Sequence, residues 1–218
     1  MHPSLQHLFS GKPTGEQHIS VSGLAEIKRV LCNEPPFLGD ERYLIFGSEL
    51  HRRFLINTKH SRLTFAEEQS IKNMIDSLNK HKFVKSLMRN SIREVADFGI
   101  VHGARFKWIG DIVKQEKKIR IGADIKTTSV KNESEFVKLA IEKYDYLRQG
   151  WCYKQAGKLD EFYFIGIQKK EPYSVYILNT SDYETEERRQ THETKFLIDI
   201  FKEYGRPVTK RPPVGQPA

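Results

Sequence analysis

The residues best suited to chemistry lie in one short stretch, Ile119 to Thr128 (IRIGADIKTT). Its alternation reads as a strand, on which successive side chains point to opposite faces. Ile119, Ile121, Ala123 and Ile125 then share an apolar face that helices can cover. Gly122, Asp124 and Lys126 share the other, with Gly122 leaving open space beside the two charges. A carboxylate is a hard oxygen donor for a divalent cation. An ammonium two positions away can orient or help deprotonate a water, and can stabilise charge developing on a phosphodiester. A bound cation would polarise the phosphoryl oxygen and acidify its water. An isolated Asp-x-Lys is more often an ordinary ion pair, so the pair gains meaning only from further acids nearby.

Asp111 supplies one. It lies in Trp108-Ile109-Gly110-Asp111-Ile112-Val113, whose apolar neighbours predict a largely buried strand. A charge in such a place needs a partner or a metal. The polar turn Gln115-Glu116-Lys117-Lys118 makes a hairpin that brings this strand beside the one carrying Asp124. Two carboxylates at the same end of adjacent strands form a cation site when both face one way. Taken alone, Asp111 also reads as a strand-end aspartate. Glu94, in Ser91 to Gly99 (SIREVADFG), is a third candidate acid, and Asp97 is the alternative to it.

The elements that must hold these residues can be read from periodicity and punctuation. Helices are expected over about 23–32, 47–55 and 65–80. Ser22 is the expected cap of the first, and Thr64 with Glu67 forms a capping box for the third. Phe83, Val84, Leu87 and Met88 suggest a shorter helix, and Asn33 to Asp40 (NEPPFLGD) a loop. Strands are expected at about 92–98, 100–107, 108–114 and 118–126. Helix returns over 133–156 with a break near Tyr144, then strands at 160–168 and 173–178, then a charged helix over 182–204. The order predicts an α/β fold with a mixed central sheet flanked by helices, in a single domain over 18–205. Residues 1–17 are expected to be a flexible lead-in and 206–218 a disordered Pro-rich tail.

With 218 residues, the chain is long enough for one well-packed core and short for two. Three of its +8 net charges belong to the tail, so the folded body keeps a modest basic excess compatible with a polyanion. Two cysteines without a Cys-x-x-Cys pair exclude a four-cysteine cluster and suggest no disulfide framework. No apolar run reaches the roughly 20 residues that span a bilayer, and the N-terminus has no signal-peptide core. The expectation is a soluble cytoplasmic protein.

The pattern Asp111-x(12)-Asp124-Ile125-Lys126-Thr127-Thr128 resembles the PD-(D/E)XK nuclease superfamily, and within it the RecE (exonuclease VIII) group, related more distantly to RecB-type nuclease domains and lambda exonuclease. Gly47-Ser48-Glu49-Leu50-His51 looks like the group's helical G-x-x-x-H motif, and Gln149 with Tyr153 like its Q-x-x-x-Y helix. Relatives often carry Arg-Pro before the first acid, where this chain has Ile109-Gly110. The resemblance implies a restriction-endonuclease-like fold and a DNA exonuclease, with an endonuclease or an inactive DNA-binding module as alternatives. It implies Mg²⁺ (or Mn²⁺) held by Asp111, Asp124, the Ile125 carbonyl and His51, with Lys126 as the catalytic lysine and Glu94 as a further acid. Gln149 and Tyr153, four apart on one helix face, would support Lys126 and contact DNA. Arg52, Arg53, Arg105 and Lys107 would contact phosphates. The partner would be double-stranded DNA with a free end, in recombination or repair and in a phage setting. A homo-oligomer and a single-strand annealing partner protein are further implications.

Overall fold

The computed structural model describes residues 18–35, 41–59 and 63–204. The expected lead-in, the expected tail and part of the expected 33–40 loop lie outside the described residues. Five strands form one sheet: β1 (Ser91–Val101), β2 (Ala104–Glu116), β3 (Ile119–Thr128), β4 (Glu161–Gln168) and β5 (Val175–Asn179). They lie in chain order across the sheet. Every neighbouring pair is antiparallel except β3–β4, which is parallel. A parallel pair needs a long crossover, supplied here by α5 (Glu133–Glu142) and α6 (Tyr146–Gly157). The other helices are α1 (Val21–Leu31), α2 (Glu41–Ile56), α3 (Phe65–Lys80), α4 (Lys82–Met88) and α7 (Glu184–Tyr204). The expected mixed sheet flanked by helices is what forms.

The two sheet faces build two apolar clusters. On one, Ala123, Ile125, Ile165 and Ile167 pack against Phe46, Leu50, Ile71, Met74 and Leu87 of α2, α3 and α4. On the other, Phe106, Trp108, Phe162 and Phe164 pack against residues of α1, α5, α6 and α7. Thr64 and Glu67 form the expected capping box at the start of α3. Some boundaries differ from expectation. The strands expected at 100–107 and 108–114 are one strand, β2. The chain reverses earlier, at His102 and Gly103, whose φ angles of 46° and 76° make a tight left-handed hairpin turn. α2 begins at Glu41 rather than near Gly47. Ser20 caps α1 in place of Ser22, its hydroxyl accepting from the Gly23 N–H at 3.3 Å.

Gly99 lets edge strand β1 lie directly on α6. A Cβ built there would stand 2.1 Å from the Ala156 carbonyl oxygen and 2.5 Å from its Cα. Those are backbone atoms, which cannot rotate away. Gly99→Ala is expected to lose about 2–3 kcal/mol of stability, read as a lower denaturant midpoint; an unchanged midpoint would contradict this packing.

Candidate active site

The site arises where the sheet splits. The β2–β3 ladder runs from Glu116↔Ile119 to Ile112↔Ala123 and stops there. One step further, Asp111 and Asp124 would face each other, and from this point the strands separate. β2 stays with β1 as far as Val101↔Ala104. β3 stays with β4 as far as Thr128↔Gln168. At the far end of the fork, Ile19 takes up β2's freed edge: its N–H donates to the Arg105 carbonyl at 3.0 Å, and its carbonyl accepts from the Lys107 N–H at 2.7 Å.

Splitting a sheet leaves backbone groups that must be paired elsewhere. Both freed groups of Ile125 are claimed by candidate site residues. Its N–H donates to Asp111 Oδ2 at 2.6 Å. Its carbonyl is 2.7 Å from His51 Nε2, and His51 Nδ1 is 3.3 Å from Asp111 Oδ1. The imidazole of α2 therefore bridges the two strands. Donating from both nitrogens requires the imidazolium form. Burial works against that charge, but Asp111 outweighs it, so the His51 pKa is raised.

Alternation in β2 breaks at Asp111. Phe106 and Trp108 belong to the face covered by α6, whereas Ile112 belongs to the opposite face. Even-numbered residues thus change sides across Asp111, whose side chain reaches across the split to Ile125. On β3 the expected alternation holds: Ala123 and Ile125 join the α2 and α3 face, and Lys126 rises toward rings of the α6 face. Lys126 Nζ bonds Asp124 Oδ2 at 2.9 Å. It stands 5.6 Å from the Tyr146 ring centroid and 5.9 Å from that of Phe164. Gln149 of α6 donates from Nε2 to the same Asp124 oxygen at 2.5 Å.

Asp111 and Asp124 are 7% and 5% exposed, so neither is an ordinary solvated strand acid. Their environments push their pKa values apart. Burial, and the neighbouring Asp111 charge, raise Asp124 to about 6 against the opposing pull of Lys126. Burial also disfavours an ionised Asp111, but its His51 and Ile125 hydrogen bonds bring it below the usual carboxylate value. Burial would strip the Lys126 proton; the Asp124 carboxylate more than compensates, and its pKa is raised. Burial and the Asp124 charge push the Tyr153 phenol up to about 12, so it stays protonated.

The structure therefore brings His51, Asp111, Asp124, Ile125, Lys126 and Gln149 together, with Tyr153 one turn further along α6. Glu94 does not join them. It falls opposite Asp111 in the β1–β2 register, between Arg93↔Ile112 and Val95↔Gly110. Its φ of 51° interrupts the ladder, and its exposed side chain makes no hydrogen bond or ion pair among the described residues. Asp97, also exposed, accepts from the Phe98 N–H. The basic candidates are dispersed. Arg52 is exposed. Arg53 is engaged by Glu49 at 2.8 Å and Glu68 at 2.6 Å. Arg105 stacks 4.3 Å over Phe98 on the β1–β2 arm, and Lys107 lies beside it on β2. Tyr146 was not among the residues singled out from the sequence. Its place three residues before Gln149, on the same helix face, was the available signal.

Among the described residues no three His, Cys, Asp or Glu side chains are set to hold a metal ion. The Asp111 carboxylate and the Ile125 carbonyl share the His51 imidazole, and the Asp124 carboxylate belongs to the residue before Ile125 on β3. Such a donor set suits a hard, oxygen-seeking divalent cation.

A mixed sheet that forks around two acids and an Asp-x-Lys strand defines a PD-(D/E)XK-type fold. The chain belongs to the family described as PDDEXK-like domain of unknown function (DUF3799), whose model matches residues 37–207, and the superfamily suggested by the motifs is thereby shown. None of the curated proteins matches it. Among solved structures, it is similar to a Eubacterium rectale protein provisionally named an exonuclease, with a TM-score of 0.57 and 14% identity over 92% of this chain and 80% of that one. A further similarity is to an alkaline exonuclease from Laribacter hongkongensis, with a TM-score of 0.39 and 14% identity over 91% of this chain and 96% of that one.

Proposed function

We propose that this protein is a metal-dependent deoxyribonuclease that hydrolyses DNA from its ends. The observation that carries the reading is the fork itself. Buried Asp111 takes the freed Ile125 N–H, buried Asp124 is the residue before it, and a lysine is held against Asp124. Family membership and the name of the Eubacterium rectale neighbour support the same class.

Asp111, Asp124 and the Ile125 carbonyl would hold Mg²⁺ (or Mn²⁺), with His51 beside them. When bound, the ion supplies Lewis acidity toward a phosphoryl oxygen and lowers the pKa of water. The chain's own groups do the rest. Lys126, kept as an ammonium by Asp124, donates to a phosphate oxygen where negative charge grows. Gln149 fixes the Asp124 carboxylate from α6. Tyr146 and Phe164 flank the lysine with ring faces, which favour a cation over open water. His51 holds Asp111 and Ile125 in register.

The test is end-labelled linear duplex beside covalently closed circular duplex, each with Mg²⁺ and with EDTA. The expected result is metal-dependent loss of the linear DNA alone. Cutting of the circle would replace the exonuclease by an endonuclease, and absence of any metal-dependent cutting would end the nuclease reading. A homo-oligomer and a single-strand annealing partner are expectations of the same reading, the first checked by light scattering and the second by co-purification. No helix among the described residues is long and apolar enough to cross a membrane.

A further inference from the structure

We propose that a cavity at the carboxyl ends of β3 and β4, apart from the fork, holds an unpaired nucleotide of the substrate strand, with its base on Tyr43 and its phosphate on Lys131, Lys169 and Lys170. The proposal deepens the nuclease reading and rests on it. The cavity measures about 900 Å³, within the size range of small-ligand sites. β3 and β4 are the sheet's parallel pair, and ligands of α/β sheets favour the crevice beyond carboxyl strand ends. The same strand carries Lys126 and leads into Ser129 and Lys131 of the lining. Three residues of strand place Ser129 about 10 Å beyond Lys126, within the reach of a few nucleotides.

The lining is basic in a particular way. Arg42 is already matched by Glu67 at 2.9 Å. Lys131, Lys169 and Lys170 have no carboxylate partner among the described residues, and Glu171 is the remaining acid of the lining. The nearby Glu135 carboxylate accepts from the Lys131 backbone N–H. Lys169 is half-buried, and its ammonium lies 4.3 Å above the Tyr43 ring. Burial lowers its pKa. A partly desolvated ammonium lacking a carboxylate gains more than a fully solvated lysine from an arriving anion. Tyr43 is 64% exposed, so a ring backed by a cation is open to solvent. Exposed aromatics beside unpaired cations are how proteins hold single strands without reading sequence.

The experiment uses the full chain in EDTA and a fluorescein-labelled twelve-residue oligothymidylate, read by anisotropy. Tyr43→Ala is expected to weaken binding about ten-fold, with Tyr43→Phe restoring it. Lys131→Gln with Lys170→Gln is expected to flatten the slope of log K against log salt by about 1.4, for two lost phosphate contacts. Circular dichroism melts identify any variant that is misfolded. Failure of the wild type to bind, Tyr43→Ala binding within about two-fold of wild type, or an unchanged salt slope would overturn the proposal. Inorganic phosphate competing as well as the oligonucleotide at equal concentration would also overturn it. Cleavage of linear duplex with Mg²⁺ is measured in parallel. Tyr43-dependent binding without cleavage sinks the nuclease reading and leaves the cavity assignment; cleavage with binding indifferent to Tyr43 does the reverse.

Discussion

Lys126→Ala is expected to slow DNA cleavage on the order of a thousand-fold while leaving DNA affinity within about two-fold of wild type. Its ammonium is the cation bonded to Asp124 in the fork, at 2.9 Å. Removing it takes away a donor positioned for charge that grows only as the phosphodiester is attacked. Affinity depends on many phosphate contacts spread over the surface and changes little when one is lost. The substitution also leaves Asp124 with Gln149 as its remaining side-chain donor among those described, which costs about 1–3 kcal/mol of stability in metal-free protein. Lys126→Arg separates the two effects. It keeps a cation beside Asp124 and should recover most of the stability. It should recover little activity, since a guanidinium fork presents its donors differently from an ammonium. Steady-state cleavage rates beside thermal melts make the check. A Lys126→Ala protein that cleaves at wild-type rate would remove the residue from the chemistry.

Asp124→Asn is expected to abolish both cleavage and the stabilisation that Mg²⁺ confers. An ion that binds only the folded state adds RT ln(1 + [L]/Kd), about 2.7 kcal/mol at a concentration one hundred times Kd. For a domain of this size that is a rise of about 5–10 °C in Tm. The asparagine keeps an oxygen but loses the charge, so the rise should largely disappear. Asp111→Asn should act in the same direction. Its amide oxygen can still accept from the Ile125 N–H, so the fork should keep its shape while its affinity for the ion falls. Melts of the three proteins with Mg²⁺ and with EDTA read this directly. An equal metal-dependent rise in all three would place any bound ion elsewhere.

The alternation Ile121, Ala123, Ile125 against Gly122, Asp124, Lys126 could be read from the sequence because period two is local and β3 is regular. The capping box at Thr64 and Glu67 was legible for the same reason. The β2 strand was harder. Its alternation changes sides at Asp111, where β2 parts from β3 and the ladder to β1 is interrupted at Glu94. A fork is a property of two strands and the groups that fill the gap, here His51, 74 residues before the Ile125 carbonyl it bonds, and Ile19, from still farther away. The motif Gly47 to His51 suggested that a histidine belongs to the site, through a resemblance to known proteins. Its bond to a backbone carbonyl could not be seen in residue types. Glu94 shows the converse. The resemblance implied a further acid there, but a left-handed backbone conformation sets it at the edge strand's exposed surface. Arg53 looked like a phosphate contact until Glu49, one turn before it, and Glu68, on the neighbouring helix, proved to hold it.

Diffraction from a crystal soaked in Mn²⁺, collected at the manganese absorption edge, bears most directly on the fork. The expected result is an anomalous peak in contact with the carboxylates of Asp111 and Asp124 and with the Ile125 carbonyl. Full soaking with no peak there, or a peak bound only by other residues, would contradict the assignment of this fork as a metal-dependent active site.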